Sequence, residues 1–155
     1  MTDATADPPA GSPVGKPAVA ITVHTRGAVR SDRRDPVPVQ VVQVCGEVDR
    51  TTTELLAAML VEALAGAARV GACGVVVDAT AMTFCGARGL GVLLRTAKLA
   101  AELDVGYALT GLSPHLAHLV TMHGPWPPQY PHRATAIAAV GLGPPWPVPT
   151  RRSPV

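Results

Sequence analysis

Few residues of this 155-residue chain could do covalent chemistry, and they fall in a handful of places. Cys85 stands at the turn into a predicted helix. A thiol there can be presented to a substrate, and helix amides would lower its pKa. An unpaired cysteine is more often a small buried apolar side chain. Directly after it runs Gly86-Ala87-Arg88-Gly89-Leu90-Gly91. The glycine spacing is GxxGxG rather than GxGxxG, and no Lys-Ser/Thr follows, so the phosphate-loop pattern is not met. What remains is a helix start whose free amides, with Arg88, could attract an anion. Asp49 and Asp78 each follow a predicted strand. If those strands are neighbours, the two carboxylates would share one sheet end near residues 84–89, where a carboxylate pair can do acid–base work. Taken singly, each is an ordinary turn aspartate. His115 and His118 share a helix face, but neither they nor His123 has a nearby carboxylate or thiol to complete a metal site. Ser113, the one serine of residues 37–140, precedes a proline and reads as a helix cap rather than a nucleophile.

The elements that would position these groups are legible as periodicities. Val19, Ile21 and Val23 alternate, predicting a strand over 18–25; Val39, Val41, Val42 and Val44 predict another over 38–45. The polar link between them suits antiparallel neighbours. Thr51 with Glu54 has capping-box spacing. Leu56, Leu60 and Leu64 then predict an amphipathic helix of about four turns, ended by Gly66 and Gly71. Gly74-Val75-Val76-Val77-Asp78 reads as a short strand apolar on both faces, as in the buried centre of a sheet. Residues 84–89 are expected to form the turn into a second helix, with Leu90, Leu93, Leu94, Ala97 and Ala101 on its apolar face. A strand over 105–110, a helix over 115–123 stopped by Gly124, an irregular Pro-rich segment over 125–131 and a short helix over 135–140 complete the reading. Residues 1–17 and 141–155 are rich in Pro, Ala and Gly and are expected to be tails around a domain at 18–140.

Composition narrows the classes. Hydrophobic residues are 48% and charged residues 15%, too apolar for a disordered chain. No apolar stretch approaches the ~20 residues of a membrane span. The net charge is +2, yet residues 37–140 hold six basic against seven acidic residues, so the basic excess lies outside them. A nucleic-acid module needs a basic face on its fold, which argues against that class. Three cysteines without CxxC spacing indicate neither zinc nor a disulfide framework. With no apolar leader at the start, a cytoplasmic location is the expectation.

These segments, taken jointly, resemble a known family. Gly46-Glu47-Val48-Asp49, the following helix, Val75-Val76-Val77-Asp78, Met82-Thr83-Phe84, Gly89-Leu90-Gly91-Val92-Leu93-Leu94 and Leu109-Thr110-Gly111-Leu112-Ser113-Pro114 are together similar to the STAS domain of bacterial anti-sigma factor antagonists. The resemblance covers about residues 18–140. It implies an α/β fold, a mixed four- to five-stranded sheet with about four helices packed mainly on one face. It also implies a non-enzymatic protein-interaction domain, without a cofactor. The implied partner is an anti-sigma factor of the histidine-kinase-like ATPase type. In that family the kinase phosphorylates a Ser or Thr in an Asp-Ser-x-Gly-Leu pattern at the second helix. Here the pattern reads Gly86-Ala87-Arg88-Gly89-Leu90, so the acid and the hydroxyl are both missing and Arg88 adds a positive charge. Ala87, placed at the helix start, also could not cap it. The expected docking surface is Gly86, Ala87, Arg88, Gly89 and Leu90, flanked by Asp49 and Asp78, with no phosphorylation at Ala87. Other members serve lipid-transport ABC systems as accessory subunits, which gives a second reading; a small Cys85-dependent enzyme is a third.

Overall fold

Alternation of apolar and polar residues sets the sheet. In the computed structural model, which describes residues 19–142 apart from 33, 72 and 73, β1 (Val19–Ala28) runs antiparallel to β2 (Val37–Val48) in unbroken register from Val19↔Gly46 to Ala28↔Val37. β3 (Gly74–Asp78), β4 (Met82–Cys85), β5 (Gly106–Thr110) and the two-residue β6 (Gln129–Tyr130) are added in parallel. The spatial order is β1-β2-β3-β5-β6, with β4 on β2. The sheet thus reaches six strands, beyond the four to five expected, and the fold class is the α/β one anticipated.

The length of β2 is the decisive feature. Its first half pairs with β3, from Val39↔Gly74 to Gln43↔Asp78. Its last residues pair instead with β4, from Gly46↔Met82 to Val48↔Cys85, across an irregularity between Gly46 and Glu47. Both partners are parallel to β2, so the chain leaving β3 passes Ala79–Ala81 and continues in the same direction along the same neighbour. The Ala81 carbonyl accepts the Gly46 N–H at 3.0 Å at this junction. A bare turn was expected here. β4 escapes periodicity because its four residues make contacts along the tip of one strand only.

The two sheet faces are covered unequally. Val42, Val44, Val75, Val77, Tyr107 and Leu109 point to one face, where α1 (Thr53–Val70), α2 (Ala87–Glu102) and α3 (Pro114–Met122) supply Leu56, Leu60, Leu64, Leu93, Ala97 and Val120. The interleaved Val37, Val39, Val76 and Ala108 face α4 (Arg133–Gly141), which supplies Ala136 and Val140. Every residue of β3 and β5 is buried, as the run of valines in β3 predicted.

Some local expectations shift. α1 is longer than predicted: Gly66 lies inside it, and Gly71 at φ 73° ends it. The expected capping box does not form, since Thr52 is the N-cap and Thr51 bonds to Asp49 instead. α2 is capped by Gly86, so Ala87 is its first helical residue and no cap is lost there. Ser113 does cap α3, accepting the Leu116 N–H at 3.3 Å. The Pro-rich segment carries β6. Of the tails expected at 1–17 and 141–155, Gly141 instead closes α4 and Leu142 caps it, while 1–17 and 143–155 lie outside the described residues, as does Cys73.

Candidate functional site

The tip of β2, extended past β3, brings two helix starts together. One is the loop from Asp49 to Thr53 leading into α1. Here Asp49 organises the backbone: its Oδ1 accepts the Thr51 N–H at 2.9 Å and the Thr51 hydroxyl at 2.7 Å. Its carbonyl accepts the N–H groups of Thr52 and Thr53. The Thr52 hydroxyl accepts the Asp49 N–H at 2.9 Å and donates to the Glu47 carbonyl at 3.0 Å, tying the loop to the strand. The Thr51 hydrogen bonds hold the Asp49 carboxyl below its ordinary pKa of 3.8, so it is charged at neutral pH.

The other is the β4–α2 turn. The Gly86 N–H donates to the Val48 carbonyl at 2.9 Å, and the Leu90 N–H to the Gly86 carbonyl at 3.0 Å. Gly89 permits the close approach of α2 to the strand tip. A Cβ there would stand 2.6 Å from Val48 Cγ1 and 2.8 Å from Cys85 Sγ, inside van der Waals contact. No side chain caps α2, and its first turn holds no acid.

Between loop and turn lies an open groove of about 570 Å³, lined by Asp49, Arg50, Thr51, Thr53, Phe84, Gly86, Ala87, Arg88 and Gly89. Phe84 is 53% exposed, although it is the only phenylalanine of the chain. Ala87 and Arg88 are exposed, whereas Gly89 and Leu90 are buried and serve packing. Of the expected docking residues, the structure therefore brings Asp49, Gly86, Ala87, Arg88 and Gly89 together at the groove, with Leu90 beneath.

Asp78 is not brought there. It pairs in register with Gln43, six residues before Asp49 on β2, a separation of roughly 20 Å at strand rise. The carboxylates do not form a pair, because β4 carries the chain onward before α2 begins. Asp78 is 4% exposed. Its Oδ1 accepts the Thr80 N–H at 3.0 Å and hydroxyl at 2.6 Å, and its Oδ2 meets Arg133 at 3.2 Å. It anchors α4.

Sequence reasoning passed over Arg50 and Phe84 as groove residues. A lone aromatic in a turn bounded by exposed residues was the available signal for Phe84. Nothing in the sequence places Arg50, since its proximity to Arg88 depends on the β2–β4 pairing.

Cys85 is half-buried with its thiol 3.6 Å from the Gly86 carbonyl. Burial pushes its pKa up to about 11, so the thiol is protonated at neutral pH. His115 and Ser113 share a small concavity of about 190 Å³ with it. A raised pKa is the opposite of what an activated nucleophile needs. The His123 Nδ1 meets the Leu119 carbonyl at 2.9 Å, closing a turn of α3. Among the described residues, no three His, Cys, Asp or Glu side chains gather to hold a metal. No helix among them is long and apolar enough to cross a membrane.

This fold, with paired helix starts at one strand tip, defines a STAS-type domain, and the comparisons agree. Residues 29–124 match the family described as "Mlab, STAS domain", and the chain belongs to that STAS family. Among curated proteins no sequence matches it. Among solved structures it is similar to an anti-sigma factor antagonist from Mycobacterium paratuberculosis, at 24% identity and TM-score 0.51, covering 77% of this chain and 94% of that one. It is also similar to the Bacillus cell fate determinant SpoIIAA in its phosphorylated form (18%, TM-score 0.53, 75% and 96%). A third neighbour is an RsbS variant from Moorella thermoacetica (21%, TM-score 0.54, 66% and 86%). At these identities the likeness speaks for the fold.

Proposed function

We propose that this chain is a non-enzymatic regulatory domain that docks a partner protein at the groove between Asp49–Thr53 and the β4–α2 turn. The partner under this reading is an anti-sigma factor of the histidine-kinase-like ATPase type. The observation that carries it is the exposed Phe84 at an open apolar groove, beside a helix start that no side chain caps. Packing within the domain gives no reason to leave its one phenylalanine in solvent, and aromatic anchors in central pockets dominate binding energy. The anti-sigma factor antagonists among its structural neighbours suggest the partner class. Ala87, at the position the family resemblance assigns to a phosphorylated hydroxyl, offers no oxygen. Binding is therefore independent of that phosphorylation switch, and the location is cytoplasmic.

A second reading rests on the description of the matched family. As a member of the "Mlab" type, the chain would serve as the STAS subunit of a lipid-transport ABC system, using the same groove.

One experiment separates them. The tagged chain is used to recover partners from its native extract, with Phe84→Ala as the control, and recovered kinases are supplied with radiolabelled ATP. The expected result is a histidine-kinase-like ATPase retained by the native chain, lost with Phe84→Ala, and transferring no phosphate to residues 82–91. Transporter subunits lost in the same control would establish the second reading. Label on that segment would refute the switch-free mechanism.

A further inference from the structure

The charges lining the groove are two arginines against one carboxylate. Arg50 and Arg88 line it and are exposed. Two turns along α2, Arg95 folds its guanidinium back over Gly91, where a Cβ would stand 3.2 Å from its nitrogen. Arg88 and Arg95 are seven residues apart and so lie on one face of α2. None of these three arginines makes an ion pair among the described residues, where the pairs are Arg30–Asp32 and Arg133–Asp78. The one carboxylate lining the groove, Asp49, is committed to Thr51. An exposed arginine beside a spare carboxylate would normally be neutralised within the chain. Here Arg50 and Arg88 stand beside the exposed Phe84, and Arg95 continues the charge along α2.

We infer that the groove receives an acidic segment of a partner protein, which seats an apolar side chain against Phe84 and sets carboxylates on Arg50, Arg88 and Arg95. This deepens the docking reading above and rests on it. Arginine's fixed fork suits bidentate carboxylate recognition, so two forks at an apolar floor and a third further along α2 favour a peptide surface carrying both features. A nucleic acid or an anionic lipid surface would engage the charges but would leave the apolar groove without a matching side chain.

The test separates the inference from the reading it rests on. A photo-crosslinking phenylalanine analogue replaces Phe84 in the full chain, and the protein trapped in cells is identified and purified. Its affinity is then measured for the native chain, Phe84→Ala, Arg88→Glu, Arg95→Glu and Arg88→Lys, at low and high salt, each variant first checked for an unchanged melting temperature. Vesicles of phosphatidylglycerol and a DNA duplex are run in parallel. The expected result is a loss of about tenfold or more for each Arg→Glu change, a smaller loss for Arg88→Lys, and weakening by salt. A Glu→Lys or Asp→Lys change at the trapped peptide should restore binding to Arg88→Glu. Binding abolished by Phe84→Ala but indifferent to both Arg→Glu changes would overturn the acidic partner and leave the docking surface standing. No trapped protein would overturn both. Tight, arginine-dependent binding to vesicles or DNA that exceeds binding to the trapped protein would also overturn the inference.

Discussion

At the scale of single residues, the neighbourhood of the groove is set by two groups with opposite shifts. Cys85 loses water on burial, which disfavours its thiolate and raises its pKa from 9.0 to about 11. Its alkylation rate, followed on its own peptide by mass spectrometry, should rise with pH through about 11 and fall roughly a hundredfold below that of a free thiol at pH 8. An inflection near 8.5 would restore the case for a reactive cysteine. Because the folded pKa is raised, the protonated thiol favours the native state below pH 9.0, and that contribution disappears as pH rises towards 11. Asp49 runs the other way. Its carboxyl is held low by Thr51, so its contribution is present above pH 3.8 and disappears as pH falls through the lowered value. Residue types alone did announce Arg88. They did not announce that Leu90 and Gly89 face inward while Phe84 faces out, since that follows from which side of α2 meets Val48.

At the scale of elements, the contact between α2 and the tip of β2 positions everything the groove presents. Gly89 makes that contact possible. Gly89→Ala pushes a methyl into Val48 and Cys85, an overpacking that costs about 1–3 kcal/mol and is offset by at most about 1 kcal/mol of helix propensity. A net loss of about 1–2 kcal/mol in urea unfolding is expected. Gly91→Ala meets only the mobile end of Arg95 and should be neutral or stabilising by up to about 1 kcal/mol. Equal effects at the two glycines would contradict the packing described. The long amphipathic helices and the buried β3 were readable because their periodicities extend over enough residues. β4 and β6 were not, because strands of four and two residues are defined by their partners rather than by their own pattern.

At the scale of the whole molecule, Asp78 and Arg133 tie α4 to the face opposite the other helices. The carboxylate is nearly fully buried, while the Arg133 side chain is 35% exposed. Asp78→Ala leaves the Thr80 donors and the guanidinium without their acceptor. A loss of about 2–4 kcal/mol is expected, below the full cost of breaking a buried pair because water reaches Arg133. Partner binding at the groove, roughly 20 Å away along the strand direction, should be retained at temperatures where the variant is folded. Equilibrium unfolding and an affinity measurement on the same sample check both halves. If binding fell while stability held, Asp78 would belong to the docking surface after all.

The sequence by itself determined the α/β class, the positions of α1, α2, α3, β2, β3 and β5, the Ser113 cap and the turn at residues 84–89 as the place to look. Those features arise from periodicity and from local hydrogen bonding, which are written in neighbouring residues. Only the tertiary structure decided what that turn stands beside. The switch of β2 from β3 to β4 placed Arg50 and Thr51 against Phe84 and Arg88. The same switch left Asp78 far behind and closed it into an anchor for α4. Strand pairing joins residues distant in sequence through backbone hydrogen bonds that carry no side-chain signature. The turn was therefore visible from its residues, and the groove only from its register.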